Sequence, residues 1–203
     1  MNILAIDCHK RNFNLCISHE KGDFFIESNE KSEYIAPLIK SLFEKHEIMA
    51  SDFDFFCVCK GPGSFTGLRA GLSFILGLSC GKINKLRAVP TFKAYAKAAE
   101  KHGIVDKDYF SILKSGLNDF FVYLPDNNSV KLLDKNDILE YIKGKNFYNG
   151  ENLELCNNAG IKHFGTNNLS KEIVEIILNN ETEYTDISIE YMKRPAINMK
   201  RRK

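Results

Sequence analysis

Residues 60–72 read Lys-Gly-Pro-Gly-Ser-Phe-Thr-Gly-Leu-Arg-Ala-Gly-Leu and follow an apolar strand pattern, Phe55-Phe56-Cys57-Val58-Cys59. A strand that turns through glycines into a helix start presents backbone N–H groups and the positive helix end to whatever lies above it. That arrangement suits an anion such as a phosphate. Gly61, Gly63 and Ser64 are the turn residues that would approach it, and Asp7 is the one first-strand carboxylate. A Walker loop needs Lys-Ser or Lys-Thr after its last glycine, and none follows Gly67. A dinucleotide fingerprint needs its third glycine one residue earlier and an acid closing the next strand, where Ala88-Val89-Pro90 stands instead. A purely structural reading, a tight turn with Gly67 and Gly71 admitting close helix packing, stands beside the phosphate reading.

Other chemistry-bearing residues are sparser. Ser64 lacks the Gly-x-Ser-x-Gly setting of a nucleophile elbow, so Ser64 or Thr66 is expected to cap the helix. No catalytic residue is assigned. Cys57 and Cys59 share one strand face, but zinc would need two more ligands close by. The five histidines include no pair spaced for a metal on one helix face. No metal site is expected, and the six cysteines read as reduced, buried thiols.

The elements that must position the turn follow from periodicity. Strands are expected over 2–8, 13–18, 24–26, 55–59 and 86–89. Ser32 with Glu33 can cap a first helix, in which Ile35, Leu38, Ile39, Leu42 and Phe43 recur at helical spacing. A second helix carries no charge from Ala70 to Gly81, and a third follows Thr91. Beyond Gly103 the pattern weakens. Strands are expected over 109–113 and 120–124, short helices over 138–142 and 173–178, and a turn at Asn149-Gly150. The order β-β-β-α-β-α-β-α implies a mixed sheet with helices on its faces, an α/β class. The expected division is a first lobe 1–103, a smaller second lobe 104–195 and a basic, disordered tail 196–203.

The chain has 203 residues, 44% of them hydrophobic, which is enough for a core. A net charge of +2 does not by itself argue for nucleic acid. Asp7, Lys10 and Arg11 interrupt any leader-like apolar run, and no uncharged stretch is long enough for a bilayer. A cytoplasmic protein is expected.

The string Lys-Gly-Pro-Gly-Ser-Phe-Thr-Gly-Leu-Arg-x-Gly-Leu, some fifty residues after Ile3-Leu4-Ala5-Ile6-Asp7, resembles the TsaB (YeaZ) family. These are small bacterial subunits of the machinery that makes threonylcarbamoyladenosine in tRNA. Ser32-Glu33 with Leu38-Ile39, and the 189–195 stretch Ile-Glu-Tyr-Met-Lys-Arg-Pro, match further family segments. The resemblance is strong over 1–102 and patchy afterwards. It implies an actin-like ATPase fold with a reduced second lobe. It also implies a non-catalytic subunit that activates TsaD, the enzyme that modifies the adenine at position 37. TsaE-type ATPase is a further implied partner, tRNA is contacted only indirectly, and a homodimer forms when the partner is missing.

Pairing is implied through helices 33–47 and 68–82, with Ile35, Leu38, Ile39, Leu42, Leu68, Arg69, Leu72, Ile75 and Leu76 as the contact residues. The sequence departs from the family where Cys8-His9-Lys10 follows Asp7, since a phosphate-approaching turn wants small residues. It departs again at 114–119, where an Asp-Ala-Arg strand is lost. A two-lobed ATP site is therefore expected to be absent, with nucleotide admitted only at the partner interface. Arg69, a cation in the first turn of a helix, is expected to find an ion pair or a carbonyl.

Overall fold

In a computed structural model, residues 1–190 are described apart from 11, 32–33, 166–167 and 180–181. The Ser32–Glu33 cap, the 191–195 part of the family match and the basic tail 196–203 lie outside the described residues.

The first half builds β1 (Ile3–Asp7), β2 (Asn12–Ser18), β3 (Phe24–Lys31), α1 (Ile35–His46), β4 (Phe55–Gly61), α2 (Phe65–Leu78), β5 (Leu86–Pro90) and α3 (Thr91–Lys101). The strands lie in the order β3-β2-β1-β4-β5. The three N-terminal strands form an antiparallel meander, and β4 and β5 join β1 in parallel. Residues 109–179 then build β6 (Tyr109–Lys114), β7 (Asp119–Leu124), β8 (Ser129–Asp134), α4 (Ile138–Tyr141), β9 (Phe147–Gly150), α5 (Glu154–Asn158), β10 (Lys162–His163) and α6 (Ser170–Asn179). Their sheet runs β8-β7-β6-β9-β10, the same plan with the same mixture of antiparallel and parallel neighbours. The second half is reduced mainly in its helices. Where the first has helices of 12 and 14 residues, the second has helices of 4 and 5.

Alternation in β1 shows why the first sheet must be covered twice. Ile3 and Ala5 enter a core with Tyr95, Leu169 and Ile173 of the α3/α6 side, while Leu4 and Ile6 enter another with Ile35, Ile39 and Ile75 of α1 and α2. A five-residue strand buried on both faces must be continuously apolar, as Ile3–Ile6 is. The helix α6, last among the described residues, packs on β1, β2, β4 and α3 of the first half rather than on its own sheet alone.

On α2, Gly67, Leu68, Gly71 and Ile75 face inward and are buried, while Leu76 is 38% exposed. Ile75→Ala should therefore destabilise the protein by about 2–5 kcal/mol through a core cavity. Leu76→Ala should stay within about 0.5 kcal/mol. Urea denaturation of the two variants checks the difference, and equal effects would contradict this orientation of α2.

Candidate functional site

The glycine turn is closed by protein rather than open to a ligand. Gly61 has φ of +113°, which a side-chain-bearing residue adopts only under strain. The Ser64 hydroxyl accepts from Gly67 N at 3.3 Å and caps α2, as its position after the turn suggests. The loop after β1 then lies against the turn. Ser64 N donates to the His9 carbonyl at 2.6 Å. A Cβ on Gly63 would stand 2.5 Å from that same carbonyl oxygen, and one on Gly67 would stand 2.3 Å from the Cys8 carbonyl oxygen. These glycines admit the chain's own backbone at the place where a phosphate-binding turn would admit its ligand.

Asp7, at the end of β1, is 1% exposed. Its Oδ1 accepts from His9 N at 3.0 Å and faces His9 Nδ1 at 2.7 Å. Its Oδ2 accepts from Asn14 Nδ2 at 3.0 Å and from Leu169 N at 3.1 Å. A carboxylate only accepts, so His9 Nδ1 carries the proton, and His9 Nε2 is turned to the Tyr95 hydroxyl at 2.8 Å. Asn14 Oδ1 accepts in turn from Ser170 N at 3.0 Å. The two first backbone N–H groups at the start of α6 are thus answered from β1 and β2, and an anion sits at the positive end of that helix. Burial alone would raise the Asp7 pKa, but the His9 imidazole and the donors from His9 and Asn14 outweigh it and bring the group from 3.8 to about 2. Nearby, the cleft is bridged by Asn149 Nδ2 donating to the Tyr95 carbonyl at 3.1 Å and by Lys10 Nζ reaching the Gly150 carbonyl at 3.4 Å.

Asp7, Gly61, Gly63 and Ser64, the residues expected to approach nucleotide, are engaged within the chain itself. Asp7 is saturated and buried, Gly63 is pressed on His9, and the Ser64 hydroxyl caps a helix. Sequence reasoning missed His9 because a polar run after a strand reads as a solvated turn. The bulk of Cys8-His9-Lys10 was the available signal. Among the described residues, Asp7, His9 and Cys59 also bring one potential metal-ligand atom each within 4.8 Å of one another. Both His9 nitrogens are already engaged, and burial, with Asp7 close by, pushes the Cys59 thiol well up, so the thiolate a soft metal would need is disfavoured. The trio reads as a packed polar cluster.

The two helices of the implied partner surface divide their residues unevenly. Ile35, Ile39, Leu42, Leu68 and Ile75 are buried in the chain's own core. In the isolated chain these expected contact residues pack inward and support the surface. Leu38 and Leu72 are half-buried, and Arg69 and Leu76 are exposed. The Arg69 guanidinium lies over the Phe65 ring at 4.2 Å, a cation–π contact that sequence reasoning did not foresee. An apolar groove runs between the helices, lined by Phe43, Ile48 and Met49 on one side and by Phe74 and Leu78 on the other. Met49 is 63% exposed. The i, i+4 pair Phe74–Leu78, offset from the inward Gly67–Gly71–Ile75 series, was the sequence signal for this stripe.

A family model for "TsaD: tRNA N6-adenosine threonylcarbamoyltransferase" matches residues 26–173. The chain is 28% identical over 82 residues to the tRNA threonylcarbamoyladenosine biosynthesis protein TsaB of Buchnera aphidicola subsp. Baizongia pistaciae, an alignment covering 39% of this chain and 37% of that one. It is 26% identical over 102 residues to TsaB of Escherichia coli K12, covering 49% and 44%. The chain thus spans less than half the length of these curated relatives. A crystal structure from Pseudomonas aeruginosa, of a protein with similarity to peptidase YEAZ, superposes with a TM-score of 0.69 at 13% identity, over 95% of this chain and 99% of that one. The two similarly ordered sheets are those of the actin-like ATPase fold.

Because the Asp7 pKa is depressed on folding, its contribution to stability is complete above about pH 4 and is lost as pH falls through about 2. The contribution is about 2 kcal/mol. Urea titrations between pH 5 and 2 should show the wild type losing this increment and Asp7→Asn lacking it. Parallel pH profiles for the two proteins would refute the role given to Asp7.

Proposed function

The chain belongs to the TsaB (YeaZ) family, among the proteins covered by the threonylcarbamoyltransferase family model, and from that premise we propose that it serves tRNA threonylcarbamoyladenosine biosynthesis as a non-catalytic subunit. It binds and activates a TsaD-type catalytic subunit for threonylcarbamoyl transfer to adenosine 37. A TsaE-type ATPase joins the same assembly, and the isolated chain pairs with itself through the same surface. The work is cytoplasmic; no helix among the described residues is long and apolar enough to cross a membrane.

The observation that carries this reading is the contrast between the two faces of the first lobe. The cleft, where a member of the fold with chemistry of its own would hold nucleotide, is filled by Asp7, His9 and Tyr95. The outer face of α1 and α2 keeps an apolar groove in which Phe74 and Leu78 are only half covered and Met49 is exposed, and Leu76 of α2 is exposed as well. Contiguous apolar surface rimmed by polar residues, here Lys40, Glu44 and Glu47, marks a docking site. Hydrolytic chemistry at Ser64 finds no support, since its hydroxyl serves the helix start. Any ATP or ADP in the assembly then lies at the partner interface, outside this chain's own cleft.

Co-expression with the TsaD-type subunit of the same organism, followed by size exclusion and an assay of tRNA modification with and without this chain, tests the proposal. Phe74→Glu and Leu76→Glu should each weaken the complex about tenfold or more, because a carboxylate would lose water without gaining a partner. Thermal unfolding confirms that each variant still folds. A complex that survives both changes, or modification that proceeds equally well without the chain, would remove this surface from the function.

A further inference from the structure

β5 is the last strand on its side of the first sheet, and a bare outer edge would leave its backbone groups unpaired. Residues 184–190 cover that edge without forming a strand. Ala88 N donates to the Tyr184 carbonyl at 2.8 Å. Glu190 N donates to the Lys60 carbonyl at 2.8 Å, beside Pro90, which has no N–H to offer. Among the described residues these are the two backbone hydrogen bonds that join the segment to the sheet. Its apolar side chains fall on both sides of the edge. Tyr184 and Ile189 pack on the core that holds Leu68 and Tyr95, and Ile187 packs on the core that holds Ile35, Ile39 and Ile75. The segment therefore wraps the sheet from one face to the other.

One cation closes the wrap. Lys60 Nζ lies 3.3 Å from Asp186 Oδ2 and 3.1 Å from Glu190 Oε1. The Lys60 side chain is 12% exposed, but those of Asp186 and Glu190 are 68% and 41% exposed, so salt reaches the pairs from the acid side. Tyr184, at the near end, has φ of +64°, a left-handed conformation that a tyrosine adopts only under restraint. The far end bears on the glycine turn. The Glu190 carbonyl oxygen and Leu68 Cδ1 stand 2.7 and 3.2 Å from where a Cβ on Gly61 would be.

We propose that residues 184–190 are a releasable clasp, closed by Lys60, that holds the head of α2 in place for its partner. Few backbone bonds, exposed ion-pair partners and a strained end let the clasp open locally while the sheet beneath it stays folded. Opening leaves α2 its glycine contacts with the Cys8–His9 loop and removes the support at Gly61 and Leu68. The partner half of this inference rests on the function proposed above; the clasp itself does not.

Hydrogen exchange of the full chain, read residue by residue by NMR, tests the clasp. Lys60→Met keeps most of the stem and removes the charge. In that variant the Ala88 and Glu190 amides should exchange about three- to tenfold faster, while the amides of β1 keep their rates. Asp186→Asn combined with Glu190→Gln removes the pairs from the other side and should give the same local pattern. In the wild type, raising salt from about 0.1 to 1 M shortens the screening length from about 10 to 3 Å and should bring these two amides toward the variant's rates. Lys60→Met itself should not respond to salt. Unchanged rates, or an equal rise throughout the first sheet, would overturn the clasp, and the melting temperature verifies that each variant folds. Binding of the TsaD-type subunit should slow the same two amides by about fivefold or more, because a partner that requires the closed clasp stabilises it by linkage. A complex that forms and leaves their exchange unchanged would overturn the positioning role. Failure of the wild type to form a complex would refute the function proposed above, whereas the exchange rates of the isolated chain decide the clasp separately.

Discussion

A carboxylate buried at the end of a central strand has to be answered by donors, and four donors converge on Asp7. An unpaired charge there would cost several kcal/mol, so the surroundings must either bring a cation or bring hydrogen bonds. This chain brings hydrogen bonds, from the next loop, the next strand and the start of a helix 162 residues away. That choice decides the rest. His9 occupies the space above the glycine turn, the turn closes on His9, and α6 of the second half is seated on the first sheet.

The two halves share one strand plan but differ in their helices. Both sheets keep equivalent strand orders, because each parallel crossover and each hairpin depends on its neighbours. The helices α4 and α5 are only a turn or so long, whereas α6 has ten residues. Its inward residues Ile173, Val174, Ile176 and Ile177 are part of the core shared with the first sheet.

With the cleft internally satisfied, the open apolar groove of the first half lies between α1 and α2. A helix with glycines at positions 67 and 71 approaches the sheet closely, with Leu68 and Ile75 turned inward beside them and Phe74 and Leu78 left half covered. The groove between α1 and α2 is the consequence of that close approach.

By itself the sequence determined what local chemistry dictates: the apolar runs of β1, β2 and β4, the Ser64 cap, the uncharged α2 and the Gly-Pro-Gly turn. The first-half elements were legible because each carries its own periodicity. β9 was not, since Asn149-Gly150 has the composition of a turn yet ends a buried strand whose pairing with β6 lies far off in sequence. β8 and the two-residue β10 were hidden too, having no burial alternation to read. Only the tertiary structure decided which apolar residues of α1 and α2 are core and which are surface, because helical periodicity does not say which way a helix without a polar face will turn. It alone decided the fate of Asp7, whose decisive partners Tyr95, through His9, and Leu169 come from helices that no local signal connects to the first strand.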